Sequence, residues 1–156
     1  MMELNIPGYG SLRLSFLVLD YNGTLACDGR LIPAARERLA ELSKHLDVHI
    51  LTADTFGNVT RETSSLQCNV ATIGKEHQAR AKVDYVRRLG ERETVALGNG
   101  RNDVMMLQEA ALGIAVLQEE GCAVEALLAA DIVTTSVVDA LDLLLHPLRL
   151  TATLRS

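Results

Sequence analysis

Short apolar runs alternate with amphipathic helical patterns from residue 15 to residue 145, and this alternation constrains the fold more than any other feature. Because a strand that is apolar along its whole length must be covered on both faces, the pattern predicts βαβ units around a parallel sheet. The predicted strands are 15–20, 47–52, 69–73, 94–98, 113–117 and 131–134, and the predicted helices are about 33–45, 55–66, 76–89, 102–111, 121–129 and 136–145. The predicted fold class is α/β, with helices on both faces of a mainly parallel central sheet.

Three segments stand outside this alternation. Residues 1–14 read as two short strands around the turn PGYG, which predicts a β-hairpin at the edge of the sheet. The segment 25–32 reads as a small hairpin flap, and the tail 146–156 is either docked on the core or used in an oligomer contact. No repeat or linker divides the chain, so 1–156 is predicted to be a single domain with its core at 15–145.

Composition excludes several classes of protein. A chain of 156 residues with 48% hydrophobic residues can bury the core of one domain. Its net charge of -5, without a basic stripe, argues against a nucleic-acid partner. The three widely spaced cysteines, Cys27, Cys68 and Cys122, match no disulfide framework and favour a reducing compartment. Since no apolar run approaches the ~18 residues of a membrane span and no signal peptide is recognisable, we expect a soluble, cytoplasmic protein without a membrane partner.

Polar residues follow the predicted strands at the edge where open parallel sheets bind ligands. The first core strand ends in Asp20 and is followed by YNGT, the second ends in Thr52, and the fourth ends in Gly98 and is followed by NGRND. These loops supply carboxylates, amides and hydroxyls, which suit a metal ion and a phosphate. Gly23 and Gly100 would let main-chain N–H groups approach an oxyanion closely.

The same motifs, in the same order, resemble those of the haloacid dehalogenase (HAD) superfamily. FLVLDYNGT, HILT, a lysine-bearing helix and ALGNGRND follow that family's DxDGT, a Thr or Ser ending the next strand, a Lys and GDGxND. The stretch ALGNGRNDVMMLQEAALGIAV is especially similar to the phosphorylation domain of P-type ATPases and to small soluble P-type-ATPase-like proteins. The resemblance runs from about residue 15 to residue 145 and implies the three-layer, Rossmann-like α/β fold of that superfamily.

The resemblance implies a nucleophile and a metal site. Asp20 would attack a phosphoryl group and form an aspartyl-phosphate. Mg²⁺ would be held by Asp20, the main-chain carbonyl of Asn22, the side chain of Asn99 and Asp103. Read without the resemblance, an aspartate at a strand end such as Asp20 is an ordinary cap or turn residue, and Asp103 suits a helix start.

The resemblance also implies a set of phosphate-binding residues. Thr52, the backbone around Asn22 and Gly23, and one lysine would hold the phosphoryl oxygens. Thr52 alone is equally well explained as a helix N-cap. The lysine is Lys82 or Lys75, of which we favour Lys82, and either suits a solvated helix face.

Two residues depart from the family pattern. Asn22 stands where the family's phosphatases have a second Asp, and an amide cannot supply the general acid-base help that is worth about 10² to 10⁴ in rate. Slow hydrolysis of the phosphoenzyme is therefore expected, or dependence on a good leaving group such as a nucleoside polyphosphate or an acyl phosphate. Asn99 replaces the Asp of GDG, which removes a negative charge and predicts weaker Mg²⁺ binding.

The chain has no room for a cap domain, since helix and strand fill most of the sequence between Thr24 and Thr52 and between Thr52 and Lys75. Capless members of the superfamily often use a neighbouring subunit as the lid, so the resemblance implies a homo-oligomer, a dimer or a tetramer. Two functions follow. The first is a Mg²⁺-dependent phosphohydrolase (phosphatase or ATPase-like) acting on a small phosphorylated substrate. The alternative, favoured by Asn22 and Asn99, is a non-catalytic regulatory or phosphate- or metal-binding module.

Overall fold

A computed structural model describes residues 1–54 and 57–156. Its strands are β1 Met2–Ile6, β2 Gly10–Leu14, β3 Phe16–Asp20, β4 Ala26–Cys27, β5 Arg30–Leu31, β6 Asp47–Thr52, β7 Asn69–Thr72, β8 Thr94–Gly98, β9 Leu112–Val116 and β10 Ile132–Thr134. Its helices are α1 Pro33–Leu42, α2 Asn58–Glu62, α3 Gln78–Leu89, α4 Val104–Glu109, α5 Val124–Ala129, α6 Val137–Leu145 and α7 Pro147–Leu154, with 3-10 turns at Glu91–Glu93 and Arg101–Asp103.

Six strands form the central sheet in the order β10, β9, β8, β3, β6, β7. Every neighbouring pair in it is parallel. Successive residues of β3 face opposite sides of the sheet, as the pleat requires. Leu17 and Leu19 belong to the buried cluster that contains residues of α1 and α6, whereas Val18 is buried with residues of α3, α4 and α5. The predicted three-layer α/β fold is confirmed.

Several helices are shorter than their apolar patterns predicted, because their ends are used by loops. The helix predicted at 121–129 begins only at Val124, because Gly121 has a φ of +78° and Ala123 is extended (ψ 136°), with its main-chain N–H donating to the Asn99 carbonyl (2.8 Å). The helix predicted at 102–111 begins as a 3-10 turn and is α-helical over Val104–Glu109. Of the helix predicted at 55–66, residues 58–62 are α-helical, and Thr55 and Phe56 lie outside the described residues.

The predicted N-terminal hairpin is present, with β1 and β2 antiparallel and Met2 opposite Leu14. It forms a sheet of its own and does not extend an edge of the central sheet as we had expected. The reason is that β2 leads through Ser15 directly into β3, which lies inside the sheet with β6 and β8 on its two sides. The hairpin therefore lies beyond the amino end of a central strand.

The predicted flap and the C-terminal tail are both ordered elements. Strands β4 and β5 pair antiparallel and form the flap. The tail forms α7, which packs against β1 and α6, buries Leu150 and ends with the Ser156 N–H donating to the Pro7 carbonyl (3.1 Å). Within residues 1–54 and 57–156, no helix is both long and apolar enough to cross a membrane.

Candidate active site

Three neighbouring strands end at one edge of the sheet and lead into polar loops. Strands β8, β3 and β6 are neighbours, and their last residues are Gly98, Asp20 and Thr52. Asp20 is opposite Leu51 in the register of β3 and β6, so Thr52 lies one residue beyond it. The loops that follow these strands therefore converge where parallel sheets bind ligands, as the sequence predicted.

Lys82 joins Asp20 to Asp103 at this edge. It lies in the first half of α3, and its Nζ is 2.7 Å from Asp20 Oδ1, 2.6 Å from Asp103 Oδ1 and 3.3 Å from Asn102 Oδ1. Lys82 is 1% exposed and Asp103 is fully buried. Lys75 precedes the helix and is exposed. Of the two lysines that the sequence offered, the structure places Lys82 beside Asp20.

The charges of this cluster are not balanced, because two carboxylates share one ammonium group. Burial, and then the neighbouring carboxylate of Asp103, raise the pKa of Asp20 to about 7 against the opposing effects of Lys82 and Thr24. Burial alone would lower the pKa of Lys82, but Asp20 and Asp103 outweigh it and the net shift is upward. The lysine is thus held in its charged form, and the site has the electrostatics to accept a further cation.

Asp103 is fixed by the main chain of the loop that follows β8. Its Oδ2 accepts the N–H groups of Asn99 (3.0 Å) and Gly100 (2.9 Å), which leaves Oδ1 for Lys82. A Cβ atom at Gly98 would lie 2.5 Å from the Asp103 Cγ, so only glycine fits at the end of β8. The NGRND motif therefore builds a rigid support for this carboxylate.

Asn99 uses both ends of its amide. Its Oδ1 accepts the Thr24 hydroxyl (3.1 Å), and its Nδ2 donates to the Gly121 carbonyl (3.1 Å). Gly23, with φ +77°, lies so close to the Asn99 amide that a Cβ atom there would collide with it. An aspartate at position 99 would have no hydrogen to give to Gly121. Asn at this position thus has a structural use, since its amide ties the loop that follows Asp20 to residues 117–123.

Thr52 and Asn22 complete the set of predicted residues. The Thr52 side chain is buried, and its hydroxyl accepts the N–H of Asp54 (3.0 Å), two residues along the chain. Thr52 is not the N-cap of α2, because Gly57 holds that position. The Val59 N–H at the start of α2 donates instead to Asp54 Oδ2 (3.2 Å). Asn22 is exposed in the loop after β3. The hydrogen bonds of Lys82 go to Asp20, Asn102 and Asp103, so the structure brings Asp20, Lys82 and Asp103 together, with Thr52 at the end of the neighbouring strand and Asn22 in the loop after Asp20.

Two residues that the sequence analysis did not single out, Gln118 and Thr24, also fix the loop that follows Asp20. Gln118 donates its Nε2 to the carbonyls of Gly23 (3.2 Å) and Thr24 (2.6 Å) and accepts the Val137 N–H at Oε1 (2.9 Å). Thr24 is buried and donates to Asn99. A signal for Gln118 was present, because it directly follows the predicted strand 113–117 at the ligand-binding edge of the sheet.

The donors at this edge fit Mg²⁺, although with little negative charge. Asp20 and Asp103 supply carboxylate oxygens, Asn99 supplies an amide oxygen beside Thr24, and the loop after Asp20 supplies main-chain carbonyls. Such an all-oxygen set suits a hard cation. In the part of the chain that the structure describes, no three His, Cys, Asp or Glu side chains gather as a metal site, which agrees with Asn at position 99.

Comparisons with known proteins agree with the fold. The family model for haloacid dehalogenase-like hydrolases matches residues 31–140, a range that begins after Asp20. The "Uncharacterized protein MJ0073" of Methanocaldococcus jannaschii is 40% identical over 84 residues, which are 53% of this chain and 90% of that protein.

Solved structures of the same fold are more distant in sequence. A putative HAD superfamily (subfamily III A) hydrolase from Legionella pneumophila is similar with a TM-score of 0.72 and 19% identity, over 90% of this chain and 87% of that chain. The 3-deoxy-D-manno-octulosonate 8-phosphate phosphatase from Moraxella catarrhalis, solved with magnesium, phosphate and KDO, has a TM-score of 0.71 and 19% identity, over 85% and 86% of the two chains.

Proposed function

Since the chain belongs to the haloacid dehalogenase-like hydrolase family, we propose that it is a Mg²⁺-dependent phosphohydrolase whose nucleophile is Asp20. The observation that carries the proposal is the buried Asp20–Lys82–Asp103 cluster at the carboxyl edge of the sheet. A carboxylate that is buried beside an ammonium group and opens to a loop of glycines and amides is equipped for phosphoryl transfer. The substrate class is a small phosphorylated molecule.

In the proposed first step, a carboxylate oxygen of Asp20 attacks phosphorus and the bond to the leaving oxygen breaks. Lys82 keeps Asp20 oriented and offers positive charge to the phosphoryl oxygens, with Thr52 and the main chain around Asn22 and Gly23 as further donors. Mg²⁺, held by Asp20, the Asn22 carbonyl, Asn99 and Asp103, would neutralise charge between the two anions when bound.

The second step is the hydrolysis of the aspartyl-phosphate, and here the chain differs from the family's phosphatases. Asn22 occupies the position from which a carboxyl group would protonate the leaving group and then activate water. An amide performs neither transfer. The proposed enzyme therefore favours leaving groups that depart without a proton, such as acyl phosphates or nucleoside polyphosphates, and its phosphoenzyme turns over slowly.

The second candidate is a non-catalytic regulatory or phosphate- or metal-binding module on the same fold. It is favoured by the Asn99 amide, which is committed to the Gly121 carbonyl and adds no charge to the site. A module of this kind would bind phosphate or metal without turning over any ester.

We also propose that the protein is cytoplasmic and that it forms a homo-oligomer. Cys27, Cys68 and Cys122 are free thiols, which is the usual state in the cytoplasm. In this homo-oligomer a neighbouring subunit covers the site. The flap alone is too small to do so, because its strands β4 and β5 are each only two residues long.

The test compares Asp20→Asn with Asp47→Asn, a matched exchange at the amino end of β6, far from the site. Hydrolysis of acetyl phosphate and a panel of phosphorylated metabolites is measured with Mg²⁺ and with EDTA. The proposal expects Mg²⁺-dependent release of phosphate by the wild type and Asp47→Asn, and its loss in Asp20→Asn. Equal rates for Asp20→Asn and wild type would overturn it, and no turnover by either protein would favour the non-catalytic module.

A further inference from the structure

The loop that follows Asp20 folds back on itself, which decides where its main-chain groups point. The Gly23 N–H donates to the Ala26 carbonyl (2.9 Å), and the Ala26 N–H donates to the Tyr21 carbonyl (2.8 Å). Because the carbonyl and the N–H of one trans peptide group point in opposite directions, the Asn22 carbonyl points away from Ala26. This carbonyl is one of the proposed Mg²⁺ ligands, so the conformation of the loop bears directly on the metal site.

Gln118 holds the next two carbonyls of this loop. Its Nε2 donates to the Gly23 carbonyl (3.2 Å) and to the Thr24 carbonyl (2.6 Å), and the two hydrogens of an amide nitrogen allow both contacts at once. Gly23, with φ +77°, links the first of these carbonyls to the peptide group that presents the Asn22 carbonyl. Glycine has wide conformational freedom of its own. The loop therefore needs an external support to keep the Asn22 carbonyl in one orientation.

Gln118 is itself anchored in regular secondary structure. Its Oε1 accepts the N–H of Val137 (2.9 Å), the first residue of α6. The first N–H groups of a helix have no partner within the helix, so Gln118 satisfies one of them. The preceding residue, Leu117, donates its N–H to the Thr134 carbonyl (2.9 Å) and continues the pairing of β9 with β10. One side chain thus ties the loop after Asp20 to the central sheet and to α6.

We propose that Gln118 is a positioning residue for the reaction, which acts through the loop to hold the Asn22 carbonyl and the Asp20 carboxylate where they bind Mg²⁺ and attack phosphorus. This role rests on the proposed function. Metal ligands and nucleophiles must be held to within about 0.5 Å of their working positions. Groups that orient metal ligands without binding the metal contribute about 10- to 100-fold to metal affinity or activity. A purely structural role would contribute to stability alone.

Gln118→Glu separates the two ends of the side chain. A carboxylate has nearly the same shape and still accepts the Val137 N–H, but it has no hydrogen for the two loop carbonyls. Its negative charge alone would tighten Mg²⁺ binding, so weaker binding in this variant reports the displaced loop. Gln118→Met, which adds no charge, is the second variant.

Two controls accompany these variants. Gln108→Glu makes the same exchange at an exposed position of α4. Leu150→Ala destabilises the fold where α7 packs on β1 and α6. The second control separates an effect on the site from a general loss of stability.

Three quantities are measured at a temperature where every variant is folded. They are the dissociation constant of Mg²⁺ by calorimetry, the rate of phosphoenzyme formation from acetyl phosphate, and the hydrogen exchange of the Gly23 and Ala26 amides by NMR. Both Gln118 variants should bind Mg²⁺ and form the phosphoenzyme about tenfold or more less well than the wild type. The two amides should exchange faster, because the loop opens locally. Gln108→Glu and Leu150→Ala should keep the wild-type Mg²⁺ affinity and rate.

Wild-type Mg²⁺ affinity and rate in both Gln118 variants would overturn the inference and leave the proposed function intact. Equal losses in Leu150→Ala would overturn it as well, because the effect would then follow from stability. If the wild type forms no phosphoenzyme, the proposed function fails, and the Mg²⁺ titration still decides on Gln118. Weaker binding by its variants then supports the positioning role, and equal binding contradicts it. Absence of Mg²⁺ binding by the wild type contradicts both proposals.

Discussion

Lys82 is the residue on which the charge balance of the site depends. It is buried between Asp20 and Asp103 and is the one cation in contact with both carboxylates among the residues that the structure describes. A buried charge that loses its partner is costly, since neither water nor another ion compensates it. Asp20, the proposed nucleophile, therefore depends on this ammonium group, or on a metal ion beside it, to stay in its charged form.

Replacing Lys82 with Met tests this balance. We expect the free energy of unfolding in EDTA to fall by about 3 kcal/mol, because two carboxylates remain in the interior without a counter-charge. Mg²⁺ should restore part of that loss, since a cation then takes the place of the ammonium group. Chemical denaturation with and without Mg²⁺ measures both effects.

The control is Lys75→Met, the exposed lysine of the same region of sequence. The free energy of unfolding of Lys75→Met should equal that of the wild type. Equal stabilities of Lys82→Met and Lys75→Met would show that the buried ion pairs do not support the fold.

Replacing Asn99 with Asp is expected to raise the affinity for Mg²⁺ but to lower the stability of the metal-free protein. Asn99→Asp adds a carboxylate to the metal donors and should tighten Mg²⁺ binding. It also removes the donor to the Gly121 carbonyl and should cost about 1–2 kcal/mol of stability in EDTA. Calorimetric titration with Mg²⁺ and denaturation in EDTA report the two effects separately. A variant that is as stable as the wild type without metal would show that the hydrogen bond to Gly121 is of no importance.

At the scale of elements, the strands were predictable and the helix ends were not. Apolar runs place β3 and β6 to within one residue, because a strand buried on both faces has few alternatives. The helix predicted at 121–129 loses its first three residues, since Gly121 and Ala123 are not helical there and Ala123 instead bonds to Asn99, a contact 24 residues away that no local pattern contains. Because the strand ends were predictable, the positions of Asp20 and Thr52 at the edge of the sheet were predictable as well. Asp103 could be singled out from the NGRND motif. The choice between Lys82 and Lys75 depended on side-chain reach in three dimensions.

The C-terminal helix α7 gives a prediction at this scale. Leu150 is fully buried and Leu148 of the same helix is 85% exposed. Leu150→Ala should lower the free energy of unfolding by about 2–4 kcal/mol, since it leaves a cavity where α7 packs. Leu148→Ala should change it by no more than about 0.5 kcal/mol. Thermal and urea unfolding of the two variants check the difference, and equal effects would mean that α7 is not docked in solution.

The whole molecule is an α/β core with a tethered flap. The flap is attached on one side through Gly29 and on the other through the Asp28 N–H, which donates to Glu120 Oε2 (3.3 Å). Such a flap borders the site but is too small to enclose a substrate, which is why we propose that a second subunit does so. The net charge of -5 is compatible with a site that holds a cation. In that site two carboxylates share one lysine.

The measurement that tests the account most directly is the detection of a covalent phosphoenzyme. The protein is incubated with acetyl phosphate and Mg²⁺, and intact-mass spectrometry with peptide mapping follows. We predict the added mass of one phosphoryl group on Asp20, dependent on Mg²⁺, present in Asp47→Asn and absent in Asp20→Asn. Asn22→Asp should shorten its lifetime, because a carboxyl group then activates water. No adduct, or an adduct on another residue that persists in Asp20→Asn, would contradict the account.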